Sequence, residues 1–166
     1  RDRGAKKPKK KKKTPKVLLQ EGIAAEEDGN LKRAEKRYRK VIRLEPSNND
    51  ANKRLINLMV AGKRWDDAAE AAKAYVAADE KNALAYHLKA DVEIMAGDYP
   101  AAEKTLTGLI DRDPEDPSAF EKRGRARSLG KNIDGGEEDL KSAAELAPDD
   151  IEILISYGSV LQKQRK

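Results

Sequence analysis

Residue types recur in register every 34 positions along this chain. Gly22, Ile56, Ala90, Gly124 and Gly158 fall in one column, and Ala34, Ala68, Ala102 and Gly136 in a second. Leu31, Trp65, Tyr99 and Ile133 form a third, and Pro46, Glu80, Pro114 and Pro148 a fourth. A fixed period of this length means stacked copies of one supersecondary unit. Each copy touches only its neighbours, so the product is an elongated solenoid with a curved face. Such a wall offers a binding surface and usually no reaction centre.

Charged residues make up 39% of the chain, and mean hydropathy is −0.87. The core must therefore be narrow and drawn from Ala, Leu, Ile and Val. Stacked layers can bury such a seam; a spherical core would be hard to fill from this composition. There is no cysteine, which excludes disulfides, Cys zinc sites and a Cys nucleophile. No run of about 18 apolar residues is long enough to cross a membrane as a helix. No secretory signal is visible; the first residue is Arg1 and not Met, so a signal upstream stays open. The net charge of +5 hides an asymmetry. Residues 1–16 carry ten Lys or Arg against one Asp, which leaves the remainder mildly acidic.

From Val17 on, the sequence predicts helices in pairs. They span about 16–28 with 31–45, 49–62 with 65–79, 83–96 with 99–112, and 117–130 with 133–147. A ninth helix, 151–165, starts after Asp149 and Asp150, acids that suit a helix N-terminus. Gly29-Asn30, Gly62, Gly97-Asp98 and Gly130 break the pairs, and Pro46, Pro114 and Pro148 end the second helices. The small-residue columns let partner helices approach. Tyr38, Tyr86, Leu106, Phe120, Leu140 and Leu154 fill the gaps.

The pattern resembles the tetratricopeptide repeat family: a 34-residue helix–turn–helix with small residues at the crossing, an aromatic opening the second helix and a proline near its end. Ala96 to Asp116 carries it most fully, with Gly97, Asp98, Tyr99, Ala102, Leu106, Leu109 and Pro114; Asp28 to Asn48 carries it nearly as well. The resemblance spans residues 15–166. It implies an all-α, right-handed α-solenoid of stacked antiparallel helix pairs. Repeats fall at about 15–48, 49–82, 83–116 and 117–150, a capping helix at 151–165, and a disordered basic tail at 1–16 before an array at 17–166. Ile56, Gly136 and Glu80 depart from the pattern, and Glu93 and Arg127 stand where other repeats are apolar. These are expected to weaken packing locally, Gly136 by up to about 1 kcal/mol against alanine.

The resemblance further implies a non-enzymatic scaffold, without metal or cofactor, that binds a peptide or helix of a protein partner on a concave face built from the first helices. The residues expected there are Leu19, Ile23, Lys53, Arg54, Asn57, Leu84, His87, Leu88, Asp91, Ile94, Met95, Glu121, Lys122, Arg125 and Ser128. An apolar patch flanked by basic side chains suits a hydrophobic anchor with some acid. Some family members grip a C-terminal carboxylate with a five-residue clamp. Here Lys53 and Asn57 match it in type, but Leu88 and Ser118 do not, and Lys122 only approximates the required arginine.

Other motifs dissolve on inspection. His87 is the only histidine, and Asp91 four residues on is its one obvious partner, too few groups for a metal site. Asp111, Asp113, Glu115 and Asp116 lack the glycine and distal Glu of a calcium loop and read as solvated turn residues. Gly124, Gly130 and Lys131 fail as a phosphate loop, being one residue too far apart, with Asn132 where Ser or Thr is needed. The aromatics all fall at or beside repeat-core columns, leaving no base-stacking platform.

The tail is the other signal. Lys6, Lys7, Lys9, Lys10, Lys11, Lys12 and Lys13 read as an import signal if the source is eukaryotic, so nuclear placement is expected there and cytoplasmic placement otherwise. The same run suits contact with a polyanion, whether nucleic acid or anionic membrane. A solvated linker is the plainer reading, and the regulatory part of a larger enzyme is a third. Self-association through the last helix stays open if Val160 and Leu161 face outward.

Overall fold

The computed structural model describes residues 13–164. Nine helices and no strand occur among the described residues: α1 (Pro15–Glu27), α2 (Leu31–Leu44), α3 (Asn49–Ala61), α4 (Trp65–Ala78), α5 (Ala83–Ala96), α6 (Tyr99–Ile110), α7 (Pro117–Leu129), α8 (Ile133–Leu146) and α9 (Ile151–Gln164). The fold is the expected all-α stack of helix pairs. Thr14 caps α1 through its Oγ1, and Pro15 and Lys16 already belong to the helix, so the first turn begins inside the stretch assigned to the tail. Lys6 to Lys12 lie outside the described residues.

Helix starts repeat with the same period. Thr14, Asn48 and Asp116 cap first helices, and Asn30, Asp98 and Asn132 cap second helices, each accepting a bond from the backbone N–H three residues on. Each bond satisfies one of the donors that a helix leaves unpaired at its start. The intervening turns use a left-handed residue at one column, Gly29, Lys63, Gly97 and Lys131. A lysine tolerates that conformation less well than glycine.

Each helix packs on the next in sequence, and α3, α5, α7 and α9 also touch one another in succession. Among the described residues no two second helices make a comparable contact. The first helices therefore form the inner wall, and the second helices splay outward. A cavity of about 420 Å³ opens between α2 and α4, with Ile42, Leu55 and Ala71 among its lining residues.

The core is the expected seam, except that Leu154, expected to fill a gap, is 44% exposed. Tyr38, Tyr75, Ile56, Met59, Leu106 and Leu140 are fully buried, so the departing Ile56 is a core residue. Gly22 lets Tyr38 approach, since a Cβ there would stand 2.5 Å from the Tyr38 ring. Gly136 does not behave as expected. A Cβ on it would fall 2.1 Å from Ser128 Oγ and 2.8 Å from the Gly124 carbonyl oxygen. Alanine is thus excluded by close helix approach, and the expected cost relative to alanine does not apply. Glu93 and Arg127 are also accommodated. Lys89 pairs with Glu93, while Arg127 meets Glu103 at 2.7 Å and Asp139 at 3.0 Å.

Candidate functional site

The inner wall is assembled from one face of α3, α5, α7 and α9, so residues 34 apart stand side by side on it. A cavity of about 210 Å³ lies between α3, α5 and α7. Ile56, Val60, Leu88 and Ile94 supply apolar lining, with Asn57, Asp91, Met95 and Arg125 beside them. A second, of about 280 Å³, lies between α7 and α9 and is lined by Leu129, Ile155, Val160, Ser159 and Lys163. Arg125 borders both. Arg125 is thus a cation shared by two cavities on this wall.

The expected groove residues divide into three sets. Leu19, Ile23 and Leu84 are half-buried against the core, and Leu88 is itself core, with 8% exposure. They pack repeat on repeat, because the apolar positions of α1 and α5 face neighbouring helices. Ile94 and Ser128 are buried as well, the Ser128 hydroxyl donating to the Gly124 carbonyl. A second set is tied up in cross-repeat pairs: Arg54 with Glu26 at 3.0 Å, and Lys122 with Asp91 at 2.6 Å. Glu121 accepts from Ser156. The third set is presented to solvent: Lys53, Asn57, Met95 and Arg125. Arg125 has only a loose partner, Glu121 at 3.6 Å.

Two expectations need correction. His87 does not pair with Asp91; its Nε2 lies 2.7 Å from Oδ2 of Asp116, the cap of α7. Asp91 is drawn to Lys122 instead, since the 34-residue stagger brings the next repeat closer than the next helical turn. Asp116 is accordingly no solvated turn residue: it is half-buried, caps α7 at Ala119 and holds His87. On α9, Val160 is buried and Leu161 half-buried. The outward apolar residues are Ile151, Leu154 and Ile155.

Leu129, Ile155, Ser159 and Lys163 join the groove without having been expected there. The repeat itself points to them: Leu129 and Lys163 occupy the column of Met95, and Ile155 that of His87. Among the described residues no three acids or histidines converge as a metal site.

Comparison with known proteins agrees with this architecture. The family model described as tetratricopeptide repeat matches residues 25–92 and, in a second register, 65–125. The chain belongs to the tetratricopeptide repeat family. Proteins of this class are generally protein-binding scaffolds without catalytic activity. No curated protein matches the chain. Among solved structures, the chain is similar to MamA from Desulfovibrio magneticus RS-1, with 16% identity over 91% of this chain and 85% of that one and a TM-score of 0.73. TTC0263, a thermophilic TPR protein of Thermus thermophilus, gives 17% identity, 91% and 83% coverage and a TM-score of 0.72. PilF of Pseudomonas aeruginosa gives 21%, with 91% and 69% coverage and a TM-score of 0.73. At these identities the likeness is one of fold.

Proposed function

We propose that this array is a non-enzymatic scaffold whose concave face receives an extended or helical segment of a protein partner. The carrying observation is the groove on the first-helix wall: two cavities with apolar lining that meet at Arg125. Lys53 stands exposed near one end and Lys163 at the other. Such a surface favours a segment with a large apolar anchor beside a carboxylate. The anchor gains from burial in the cavity, and the carboxylate pairs with a cation that is only loosely engaged.

Selection from a displayed library of random peptides, followed by calorimetry on the winners, tests this reading. Enriched peptides should share an acidic residue flanked by apolar ones, and Arg125→Glu should weaken them at least tenfold. Failure of the library to yield any peptide that competes for the groove would refute it.

A further inference from the structure

The outer face of α2 carries a charge pattern that the fold does not ask for. Along this 14-residue helix seven side chains are Lys or Arg and one is Glu. Lys32, Glu35, Lys36, Arg39 and Arg43 line a shallow depression of about 220 Å³. Its single carboxylate is already engaged: Arg64 binds Glu35 at 2.8 and 3.0 Å, and Arg39 at 2.9 Å. Lys32, Lys36 and Arg43 are exposed and have no ion pair among the described residues. They stand one turn or two apart on one face, so like charges repel along the helix.

The repeat shows that packing does not require them. At the columns of Lys32, Lys36 and Arg43, α4 has Asp66, Glu70 and Ala77, and α8 has Asp134, Glu138 and Glu145. The same backbone positions thus accept cations at one end of the array and carboxylates at the other. A row of unpaired cations around a neutralised carboxylate is an anion site, and bound phosphate would relieve the repulsion within it.

We infer that the outer face of α2 binds the phosphodiester backbone of a nucleic acid. Two observations favour a strand over a lipid surface. The cations follow one helix, about 21 Å long. The adjacent face of α4 is acidic, with Asp66, Asp67 and Glu70. A plane of anionic lipid laid on α2 would meet those carboxylates along the whole helix, whereas a strand meets them only beside Arg39 and Arg43, which share a cavity with Asp67 and Glu70. Among the described residues no aromatic side chain lines the depression to stack a base, and contacts to phosphate alone carry no base sequence. The site is separate from the concave groove. In sequence, Lys6 to Lys12 lie just ahead of Thr14, the cap of α1. Leu18 and Val41 share a cluster, as do Gly22 and Tyr38 a contact, so α1 runs antiparallel to α2 and its start lies beside the Arg43 end.

The test uses the full chain with Lys6, Lys7, Lys9, Lys10, Lys11 and Lys12 changed to Gln, which isolates α2. A fluorescein-labelled oligothymidylate long enough to span the helix is titrated by anisotropy at about 50 mM salt and above. The comparison variant, K32D/K36E/R43E, installs the residues that α8 carries at the same columns, and circular dichroism checks its helicity. A milder K32Q/K36Q/R43Q variant guards against a folding loss. The Gln variant should bind at least tenfold more weakly and lower the slope of log K against log salt by about 2, near 0.7 for each phosphate-binding cation removed. The charge-reversed variant should not bind. Two results overturn the inference: equal affinity and slope in parent and Gln variant, or no oligonucleotide binding by the tail-neutralised parent. Sedimentation with phosphatidylcholine–phosphatidylserine vesicles is the third arm. α2-dependent vesicle binding without oligonucleotide binding would assign the face to membranes and overturn the choice of nucleic acid.

Discussion

Arg127 on α7 and Asp139 on α8 meet at 3.0 Å, and the Asp139 side chain is only 4% exposed. Arg123 grips the same carboxylate with two nitrogens, at 2.7 and 2.8 Å. Those bonds hold the Arg123 guanidinium above its ordinary pKa against the effect of burial. Among the described residues Arg123 has no other carboxylate, whereas Arg127 also holds Glu103 at 2.7 Å. Asp139→Ala therefore strands Arg123, and breaking a buried pair costs about 3–5 kcal/mol. Urea unfolding should show that loss. A triple Arg123→Met, Arg127→Leu, Asp139→Leu replacement should be far milder than Asp139→Ala alone. Equal losses would mean that the ion pairs contribute nothing beyond volume.

The glycine column separates sites where a helix partner is present from one where it is absent. At Gly22 and Gly124 an added Cβ would stand 2.5 Å from Tyr38 and 2.8 Å from Leu140. Gly22→Ala and Gly124→Ala should each destabilise by about 1–3 kcal/mol through overpacking. Nothing lies within 4 Å of a Cβ on Gly158, because α9 has no second helix beside it among the described residues. Gly158→Ala should stabilise by about 0.5–1 kcal/mol through helix propensity alone. Thermal unfolding of the three variants measures the contrast, and a destabilising Gly158→Ala would show that another surface covers α9.

Glu35 links the first two repeats and should make acid stability depend on them. The bonds from Arg64, with a smaller contribution from Arg39, bring its pKa from 4.5 down to about 2 despite partial burial. A lowered folded-state pKa stabilises the fold above the unfolded value. That contribution is lost as pH falls from about 4.5 towards 2. Arg64 is 39% exposed, so solvent screening limits the effect to about 1 kcal/mol. Urea midpoints for the parent and Glu35→Gln should differ at pH 7 and converge near pH 2. A constant difference across that range would remove Glu35 from the acid response.

Most of the stacking is legible in the sequence because it rests on small-residue and apolar columns, which sequence displays directly. What lies between the helices is not. Glu21 with Arg37, Lys89 with Thr105 and Arg123 with Asp139 occupy equivalent columns, yet the residue types change from repeat to repeat. A column of identical residues announces itself; a column of complementary pairs does so only once both helices are aligned together. Likewise, Gly136 reads as a weak spot until Ser128 is seen opposite it. Helical spacing points His87 to Asp91, although the repeat stagger favours Asp116. In the groove, the apolar residues of α1 and α5 look available in sequence, whereas inter-repeat burial claims Leu19, Ile23, Leu84 and Leu88.

That last distinction yields a paired prediction on α5. Leu88 is 8% exposed and belongs to the core, whereas Met95 is 57% exposed at the rim of the same cavity. A carboxylate at 88 would be buried in the apolar core, so Leu88→Glu should unfold the array or cost more than about 3 kcal/mol. A carboxylate at 95 meets water, and Met95→Glu should keep stability within about 0.5 kcal/mol. It should nonetheless weaken any groove-binding peptide at least tenfold, since it places an acid beside the cavity that receives the apolar anchor and the partner's own carboxylate. Calorimetry on both variants, after thermal unfolding, separates the outcomes. A folded Met95→Glu that binds with parental affinity would move the partner off this stretch of the wall.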